Sequence, residues 1–133
     1  MTRPLADLMR PNTIDDIVGQ TTLLGENGIV RRMVENQKLS NLILWGPPGC
    51  GKTTIARALA NSVDMDFVPM SAVFSGTADI KKAMDAARMN RDIGRNTLLF
   101  IDEIHRFNKT QQDTLLPYLE DGTVVFMGAT TEN

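Results

Sequence analysis

Short apolar runs alternate along the chain with longer stretches in which apolar residues recur every three or four positions. The four runs cover residues 42–45, 66–70, 97–101 and 123–127. Runs of this length are typical of strands, and the run at 42–45, which ends at Gly46 and Pro47, is typical of a strand that a parallel sheet buries on both faces. The stretches with helical spacing cover residues 52–63, 80–87 and 108–121. This order predicts an α/β fold, a mainly parallel sheet with flanking helices, whose ligands bind beyond the carboxyl ends of the strands.

The first 21 residues are rich in loop-forming residues, and we separate this lead-in (1–21) from a core (22–133). Thr13 and Asp16 in the lead-in have the spacing of a capping box, which predicts a short helical turn. The core then opens with a short amphipathic helix, predicted by Ile29, Met33 and Val34.

Composition narrows the class of protein further. A length of 133 residues allows one domain, and 42% hydrophobic with 23% charged residues is ordinary for a globular protein. The net charge of −2 argues against a nucleic-acid binder that works through overall positive charge. With one Cys and one His, neither a disulfide nor a zinc site is expected, so any metal would have oxygen ligands. No apolar stretch approaches the roughly 20 residues of a membrane span and the N-terminus lacks a secretory signal, so the expected location is the cytoplasm.

The strongest motif is a phosphate-binding loop between the first predicted strand and the helix that follows it. The segment matches G-x-x-x-x-G-K-[ST] at every required position, and it consists of Gly46, Pro47, Pro48, Gly49, Cys50, Gly51, Lys52 and Thr53. Glycines let backbone N–H groups converge on a phosphate, and the helix N-terminus adds about half a positive charge there. We therefore predict a P-loop NTPase fold in which these residues and Thr54 contact the nucleotide.

Three residues of this loop have specific interpretations. Lys52 is expected to reach the β and γ phosphates, and the Thr53 hydroxyl is expected to ligate Mg²⁺. An ordinary Gly/Pro turn before a helix is the alternative, which the full match disfavours. Cys50 lies near a helix N-terminus, where a thiol can become reactive, but a small side chain that simply fits is the preferred interpretation.

A second motif is the acidic pair Asp102 and Glu103, which ends the apolar run at 98–101. Successive strand side chains point to opposite faces, so the two acids are expected to have different roles. Asp102 would hold hydrated Mg²⁺, and Glu103 would orient and deprotonate the water that attacks the γ-phosphate. An acidic pair after a strand is by itself more often a solvated turn, and the upstream phosphate loop favours the catalytic interpretation. His105 is expected to be a packing or relay residue rather than a base.

Together these segments resemble an AAA+ ATPase of the clamp-loader and Holliday-junction-helicase branch. More narrowly, the chain is similar to the RarA family, also called MgsA, the bacterial counterpart of the Werner-helicase-interacting ATPase. The resemblance extends over nearly the whole chain, and it rests on residues 10–11, 18–20, 43–49, 71–73, 102–109, 115–117, 120–122 and 128–133.

The resemblance implies further site residues. Asp102 and Glu103 would be the Walker B pair, and Asn133 would be the sensor residue that helps to position the lytic water. ATP or ADP with Mg²⁺ would be the cofactors. The adenine would lie against a short segment made of Val18, Gly19 and Gln20.

The resemblance also implies a function. The family acts on stalled replication forks and DNA ends as a homo-oligomeric, DNA-stimulated ATPase, cytoplasmic and nucleoid-associated, with a single-strand-binding protein as partner. Its module continues beyond the sensor segment into a fifth strand, an arginine finger that acts on the neighbouring subunit, a helical lid with a second sensor and an oligomerisation region. We therefore expect these 133 residues to form a truncated AAA+ core that binds nucleotide weakly and hydrolyses little ATP. We also expect it to associate through a sheet edge left uncovered beside the strand at 42–45.

Basic residues near the predicted site have two interpretations. They could face DNA, or they could form a solvated basic face. Because no aromatic residues are interleaved with them, the sequence does not decide between the two. The residues concerned are Arg88, Arg91, Arg95, Arg106 and Lys109.

Several functions remain open from the sequence. A nucleotide-hydrolysing segment that remodels DNA or its bound proteins is the leading interpretation, with a Holliday-junction branch-migration or clamp-loader ATPase as its variant. A nucleotide-binding switch or assembly module with little hydrolysis is the alternative from another class. A metabolic kinase is disfavoured because Glu103 beside Asp102 is typical of water activation.

Overall fold

Five parallel strands form one sheet in the part of the chain that the structure describes. The computed structural model describes residues 16–19, 32–33, 35–37, 39–46 and 51–131, and for residues 16–19 it describes the backbone. The strand order is β1-β2-β5-β4-β3. The strands are β1 (Asp16–Gly19), β2 (Leu42–Trp45), β3 (Asp66–Ser71), β4 (Thr97–Asp102) and β5 (Val125–Thr130).

Helices follow β2, β3 and β4, as βαβ units require. They are α1 (Lys52–Ser62), α2 (Thr77–Asp92) and α3 (Lys109–Glu120), with a short 3-10 helix, η1 (Ile104–Arg106), between β4 and α3. None of the helices in the described residues is long and apolar enough to span a bilayer. The α/β fold predicted from the sequence is confirmed.

The sheet is covered on both faces, as its alternating side chains require. On one face, Leu99 of β4 lies in a buried cluster with Ile80 of α2 and Leu115 of α3. On the other face, Leu44 of β2 lies in a second buried cluster with Leu59 of α1. The functional residues that follow the strands are therefore attached to a packed three-layer core.

The helix α3 begins at a capping box that the sequence predicts. The Asn108 side chain accepts a hydrogen bond from Gln111 N at 2.8 Å, and Gln111 Oε1 accepts one from Asn108 N at 2.8 Å. The Gln111 amide also donates to the Ala72 and Ser75 carbonyls, at 3.1 and 2.6 Å, so the start of α3 fixes the loop after β3. The reciprocal bonds between Asn108 and Gln111 satisfy two backbone N–H donors at the start of the helix.

One strand and one sheet edge differ from the prediction. Asp16, expected in a helical turn with Thr13, begins β1 instead, while Thr13 lies outside the described residues. The strand β1 pairs in parallel with β2, from Asp16 opposite Leu42 to Gly19 opposite Trp45. The edge beside the phosphate-loop strand is therefore covered by β1, and the expectation that this edge is exposed is wrong. Association of the chain stays a prediction, but not through this edge. A strand of four residues forms because the neighbouring strand offers unpaired backbone N–H and C=O groups. Its own sequence gives little signal, since an isolated pairing this short is unstable.

The last strand is also displaced relative to its predicted range of 123–127. Thr123 N donates to Asp121 Oδ1 at 2.8 Å, which places Thr123 in the turn after α3. The strand then runs to Thr130 because β5 is central: Gly128 is paired with Ile43 on one side and Ile101 on the other. Pairing on both sides outweighs the low strand propensity of the Gly-Ala segment.

Candidate nucleotide-binding site

The carboxyl ends of the parallel strands bring the predicted site residues to one edge of the sheet. A cleft of about 300 Å³ opens there between α1 and the ends of β3 and β4. Thr53 and Asp102, the two predicted Mg²⁺ ligands, both line it. The other lining residues are Pro69, Met70, Ser71 and Phe100.

Gly51 ends the phosphate loop in a conformation that favours glycine. Its φ of 83° and ψ of 21° lie in the left-handed region, where a side chain would be strained. The helix α1 begins at the next residue. Gly51 has no side chain to cap the helix, and the first turn contains no acidic residue. Its first N–H groups and the positive end of its dipole therefore suit an anion.

Lys52 is buried, with 9% of its surface exposed, although it carries a charge. Its Nζ donates a hydrogen bond of 2.7 Å to the Gly46 carbonyl, at the other end of the loop. Gly46 N in turn donates to the Thr130 carbonyl at 3.1 Å. The ammonium group is thereby held between the two ends of the phosphate loop.

The acidic pair follows β4, but the two acids do not alternate across a strand as the sequence suggested. Asp102 is the last strand residue and is exposed. Glu103 has φ 54° and ψ 44°, in the left-handed region, so strand alternation does not apply to it. Glu103 N donates to Asp102 Oδ1 at 3.0 Å, and Glu103 Oε2 forms an ion pair with Arg106 Nε at 3.4 Å. The two acids therefore begin a tight turn over residues 102–107, the acidic turn, and do not lie on opposite faces of a strand.

His105 joins this turn to the end of β5. Its Nδ1 and Thr130 Oγ1 share a hydrogen bond of 2.8 Å. Thr130 is 3% exposed, and sequence reasoning did not single it out. Its position as the residue that closes an apolar run, opposite Trp45 at the end of β2, is the signal that could have found it.

Several predicted contacts fall outside the described residues. They are Gln20, Pro47, Pro48, Gly49, Cys50 and Asn133. Val18 and Gly19 lie on β1, in register with Leu44 and Trp45, so their backbone is next to the strand that leads into the phosphate loop. Their contact with adenine, the role of Thr54 and the sensor role of Asn133 stay predictions.

The residues present suit a magnesium nucleotide. In the described part of the chain, no group of three or more His, Cys, Asp or Glu side chains comes together to hold a metal. Mg²⁺ is typically held by one or two protein oxygens together with substrate phosphates and waters. Thr53 and Asp102, which share the cleft, supply that kind of partial ligand set.

Residues 9–132 match the family described as Holliday junction DNA helicase RuvB P-loop domain. The chain belongs to this family. The geometry of β2, Gly51, Lys52 and the cleft thus belongs to a P-loop domain of the AAA+ type, as the sequence resemblance implied.

Two named proteins are similar to this chain over nearly its whole length. Replication-associated recombination protein A of Escherichia coli K12 is 50% identical over 131 residues, which cover 98% of this chain and 29% of that protein. ATPase WRNIP1 of Dictyostelium discoideum is 48% identical over 130 residues, which cover 98% of this chain and 15% of that protein. The chain thus spans less than a third of the length of either relative.

A solved structure has the same fold. The Thermotoga maritima RuvB Holliday junction branch migration motor matches with a TM-score of 0.63 at 30% identity, over 77% of this chain and 35% of that chain.

Within the RuvB P-loop domain, the basic residues divide into two groups. Arg88 Nη2 bonds Asp121 Oδ2 at 2.8 Å, Arg91 Nη1 bonds the Asp121 carbonyl at 3.0 Å, and Arg95 pairs with Asp66. Hydrogen bonding to Arg95 lowers the pKa of Asp66. These three arginines connect elements of the fold. Arg106 and Lys109 instead pair with residues close by in the chain, Glu103 and Asp113, at 3.4 Å each, and 61% and 74% of their side chains are accessible. Both follow Asp102 and Glu103 in the chain.

Proposed function

We propose that this chain is the ATP-binding and ATP-hydrolysing core of a replication-associated recombination ATPase. The observation that carries the proposal is the cleft in which Thr53, from the phosphate loop, and Asp102, from the end of β4, lie together. A phosphate loop alone is shared by many nucleotide-binding proteins. Its pairing with an acidic strand end supplies the metal site that phosphoryl transfer requires, and Glu103 beside that acid favours water as the acceptor.

The nucleotide is held chiefly by charge and by backbone donors. Lys52, already buried at the loop, supplies the cation for the β and γ phosphates. The first turn of α1 supplies N–H groups, which Gly51 directs by its left-handed conformation. Thr53 and Asp102 hold Mg²⁺, which neutralises the phosphate charge when bound. Val18, Gly19 and Gln20 contact the adenine, and Asn133 helps to position the attacking water, as the family resemblance implies.

Glu103 is the base that orients and deprotonates the attacking water. It lies one residue beyond Asp102, and its left-handed backbone turns it away from the strand direction. A single carboxylate next to the metal-holding acid is suited to general-base catalysis. Arg106 Nε forms an ion pair with this carboxylate at 3.4 Å.

DNA is the proposed partner on the acidic-turn side of the molecule. Relatives carry names that refer to replication-associated recombination, and a structural neighbour carries one that refers to Holliday junctions. Arg106 and Lys109, the more exposed basic residues, are the proposed phosphate contacts. The family resemblance implies the rest of the proposal. The substrate is a stalled fork or a DNA end, the protein assembles as a homo-oligomer, and a single-strand-binding protein is its partner.

A second function is favoured by one observation. Because Glu103 is ion-paired with Arg106, the chain could bind ATP and hydrolyse little of it, as a switch or assembly module. If Arg106 binds a DNA phosphate instead of Glu103, the Glu103 carboxylate becomes available to the attacking water. Only the first function therefore predicts that DNA stimulates turnover.

The nucleotide site is tested by isothermal titration of Mg-ATP. Lys52→Ala is expected to weaken binding at least about tenfold because it removes the cation that meets the phosphates. Lys81→Ala, on the exposed side of α2, is the control and should bind like the wild type. Unchanged affinity in a folded Lys52→Ala variant would contradict the site.

The catalytic assignment is tested by phosphate release in the complete gene product, with and without DNA ends. Glu103→Gln should retain Mg-ATP but slow hydrolysis by on the order of 10², the usual contribution of a general base. Glu120→Gln, an exposed acid at the end of α3, is the matched control. Equal turnover by Glu103→Gln and the control would remove Glu103 from the mechanism, and nucleotide binding without turnover in the wild type would favour the switch.

A further inference from the structure

His105 and Thr130 form a link that the proposed mechanism does not use. His105 Nδ1 and Thr130 Oγ1 lie 2.8 Å apart, and 25 residues separate them in the chain. Thr130 is 3% exposed and His105 is half-buried, so water competes weakly for this hydrogen bond. Such a bond ties η1 to the last residue of the central strand β5.

Thr130 is also bound to the phosphate loop, through its backbone. Its carbonyl accepts a hydrogen bond from Gly46 N at 3.1 Å, and the Gly46 carbonyl accepts one from Lys52 Nζ at 2.7 Å. A single residue therefore contacts the acidic turn with its side chain and the phosphate loop with its main chain.

The acidic turn needs support from outside itself. Glu103 adopts φ 54°, which is unfavourable for a residue with a Cβ atom and persists only where the surroundings fix it. Ile104 supplies apolar packing against β5. It lies so close to Gly128 that a Cβ atom added to this glycine would be 3.2 Å from Ile104 Cβ. The packing of Ile104 is not directional. The hydrogen bond of His105 is directional, and it orients the turn relative to β5.

We propose that His105 is a positioning residue for Glu103. Its hydrogen bond to Thr130 fixes the orientation of the acidic turn against the strand that also holds Gly46, so that Glu103 and the phosphate loop keep one geometry. His105 transfers no proton in this role. The inference rests on the proposed ATPase function.

The test uses paired substitutions that differ in one hydrogen-bonding group. Thr130→Val removes the hydroxyl at nearly constant shape and leaves the backbone bond to Gly46 intact, while Thr130→Ser keeps the hydroxyl. His105→Ala removes the ring, while His105→Asn keeps a polar atom near the position of Nδ1. The kcat and KM for ATP are measured for each variant in the complete gene product, with thermal unfolding to verify that each is folded.

The expected result is a fall in kcat of about tenfold to a hundredfold for Thr130→Val and His105→Ala, with KM within about twofold of wild type, because displacement of a reacting group affects the transition state rather than binding. Thr130→Ser and His105→Asn should keep most of the activity. The double variant should be no slower than the slower single variant, since both remove the same bond. Unchanged kcat in His105→Ala, or multiplicative losses in the double variant, would overturn the proposal.

A second measurement does not depend on catalysis. The amides of Arg106 and Phe107 donate to the Glu103 and Ile104 carbonyls within the turn, at 2.9 and 3.0 Å. Their hydrogen exchange, measured without nucleotide, should be faster in Thr130→Val than in Thr130→Ser. Equal exchange in the two variants would refute the positioning role. If the wild type does not hydrolyse ATP, the proposed function fails, and this exchange experiment still decides whether His105 orders the turn.

Discussion

Gly128 is the residue at which a missing side chain matters most for the architecture of the site. It is buried in the central strand β5. A Cβ atom there would lie 2.9 Å from Ile43 Cδ1, 2.9 Å from Phe126 Cζ and 3.2 Å from Ile104 Cβ. The close approach of η1 to the sheet depends on the absence of a Cβ atom at Gly128. The contact of His105 with Thr130 depends on that close approach.

Gly128→Ala is therefore expected to destabilise the fold by about 1–3 kcal/mol, because the added methyl group overpacks a buried contact. Urea unfolding measures the change. Gly76→Ala is the control, since a Cβ there would meet only Asp79 Oδ2, at 3.9 Å, and its cost should be well below that of the buried site. Equal losses in the two variants would show that close packing at Gly128 is not the cause.

The positions of site residues were predictable where a sequence motif specifies them, and they were not predictable where backbone geometry decides. Lys52, Thr53 and Asp102 follow from spacing, because a phosphate loop and an acidic strand end have a fixed chemistry, and the structure brings them to one edge of the sheet. The left-handed turn at Glu103 was not predictable, since Glu carries no preference for positive φ of the kind that Gly, Asn and Asp show. The bond of His105 with Thr130 depends on how two distant segments pack.

At the scale of elements, the turn after α3 is organised by Asp121. Arg88 bonds its carboxylate and also lies over the Tyr118 ring at 4.7 Å, so α2 and α3 meet at this residue. Burial raises the pKa of Asp121, but hydrogen bonds from Thr123 and Arg88 outweigh it and leave the pKa below its ordinary value of 3.8. Because the folded-state pKa is depressed, the stabilisation is present above the unfolded-state value and is lost as the pH falls through the folded-state value.

Asp121→Asn should therefore lower stability by less than about 1 kcal/mol at pH 7, a small value because the Asp121 side chain is 45% exposed and screened by solvent. The difference from wild type should shrink as the pH falls below about 4. Thermal unfolding from pH 7 down to pH 2 measures it, with Asp92→Asn at the exposed end of α2 as control. A difference that stays constant over this range would show that the charge of Asp121 does not contribute.

Elements with strong local signals were found by the sequence pattern. The strand β2 was predicted with its observed bounds, and β3 and β4 within one residue. The apolar runs of β2 and β4 end at Gly46 and Asp102, which marks the ends of these two strands. The capping box of α3 is local chemistry and was also confirmed. The strand β1 was missed and β5 was placed too early because their pairing is set by neighbouring strands.

At the scale of the whole molecule, we expect nucleotide binding and turnover to be separable. Lys52, Thr53, Asp102 and Glu103 lie within this chain, which spans 29% of the length of the Escherichia coli relative. The family resemblance places an arginine finger, a lid and a second sensor in sequence beyond the sensor segment. An arginine supplied in trans is worth roughly 10³ to 10⁵ in the rate of phosphoryl transfer where it acts.

The purified 133-residue chain is accordingly expected to bind Mg-ATP weakly and to hydrolyse it at least about 10²-fold more slowly than the full-length Escherichia coli relative. Titration of Mg-ATP and steady-state phosphate release, both with and without DNA ends, measure the two properties on the two proteins side by side. The Lys52→Ala variant gives the background for each assay. Turnover by residues 1–133 that DNA stimulates to the level of the relative would show that catalysis needs no residue outside this chain. Loss of binding as well as turnover would instead place part of the nucleotide site outside the chain.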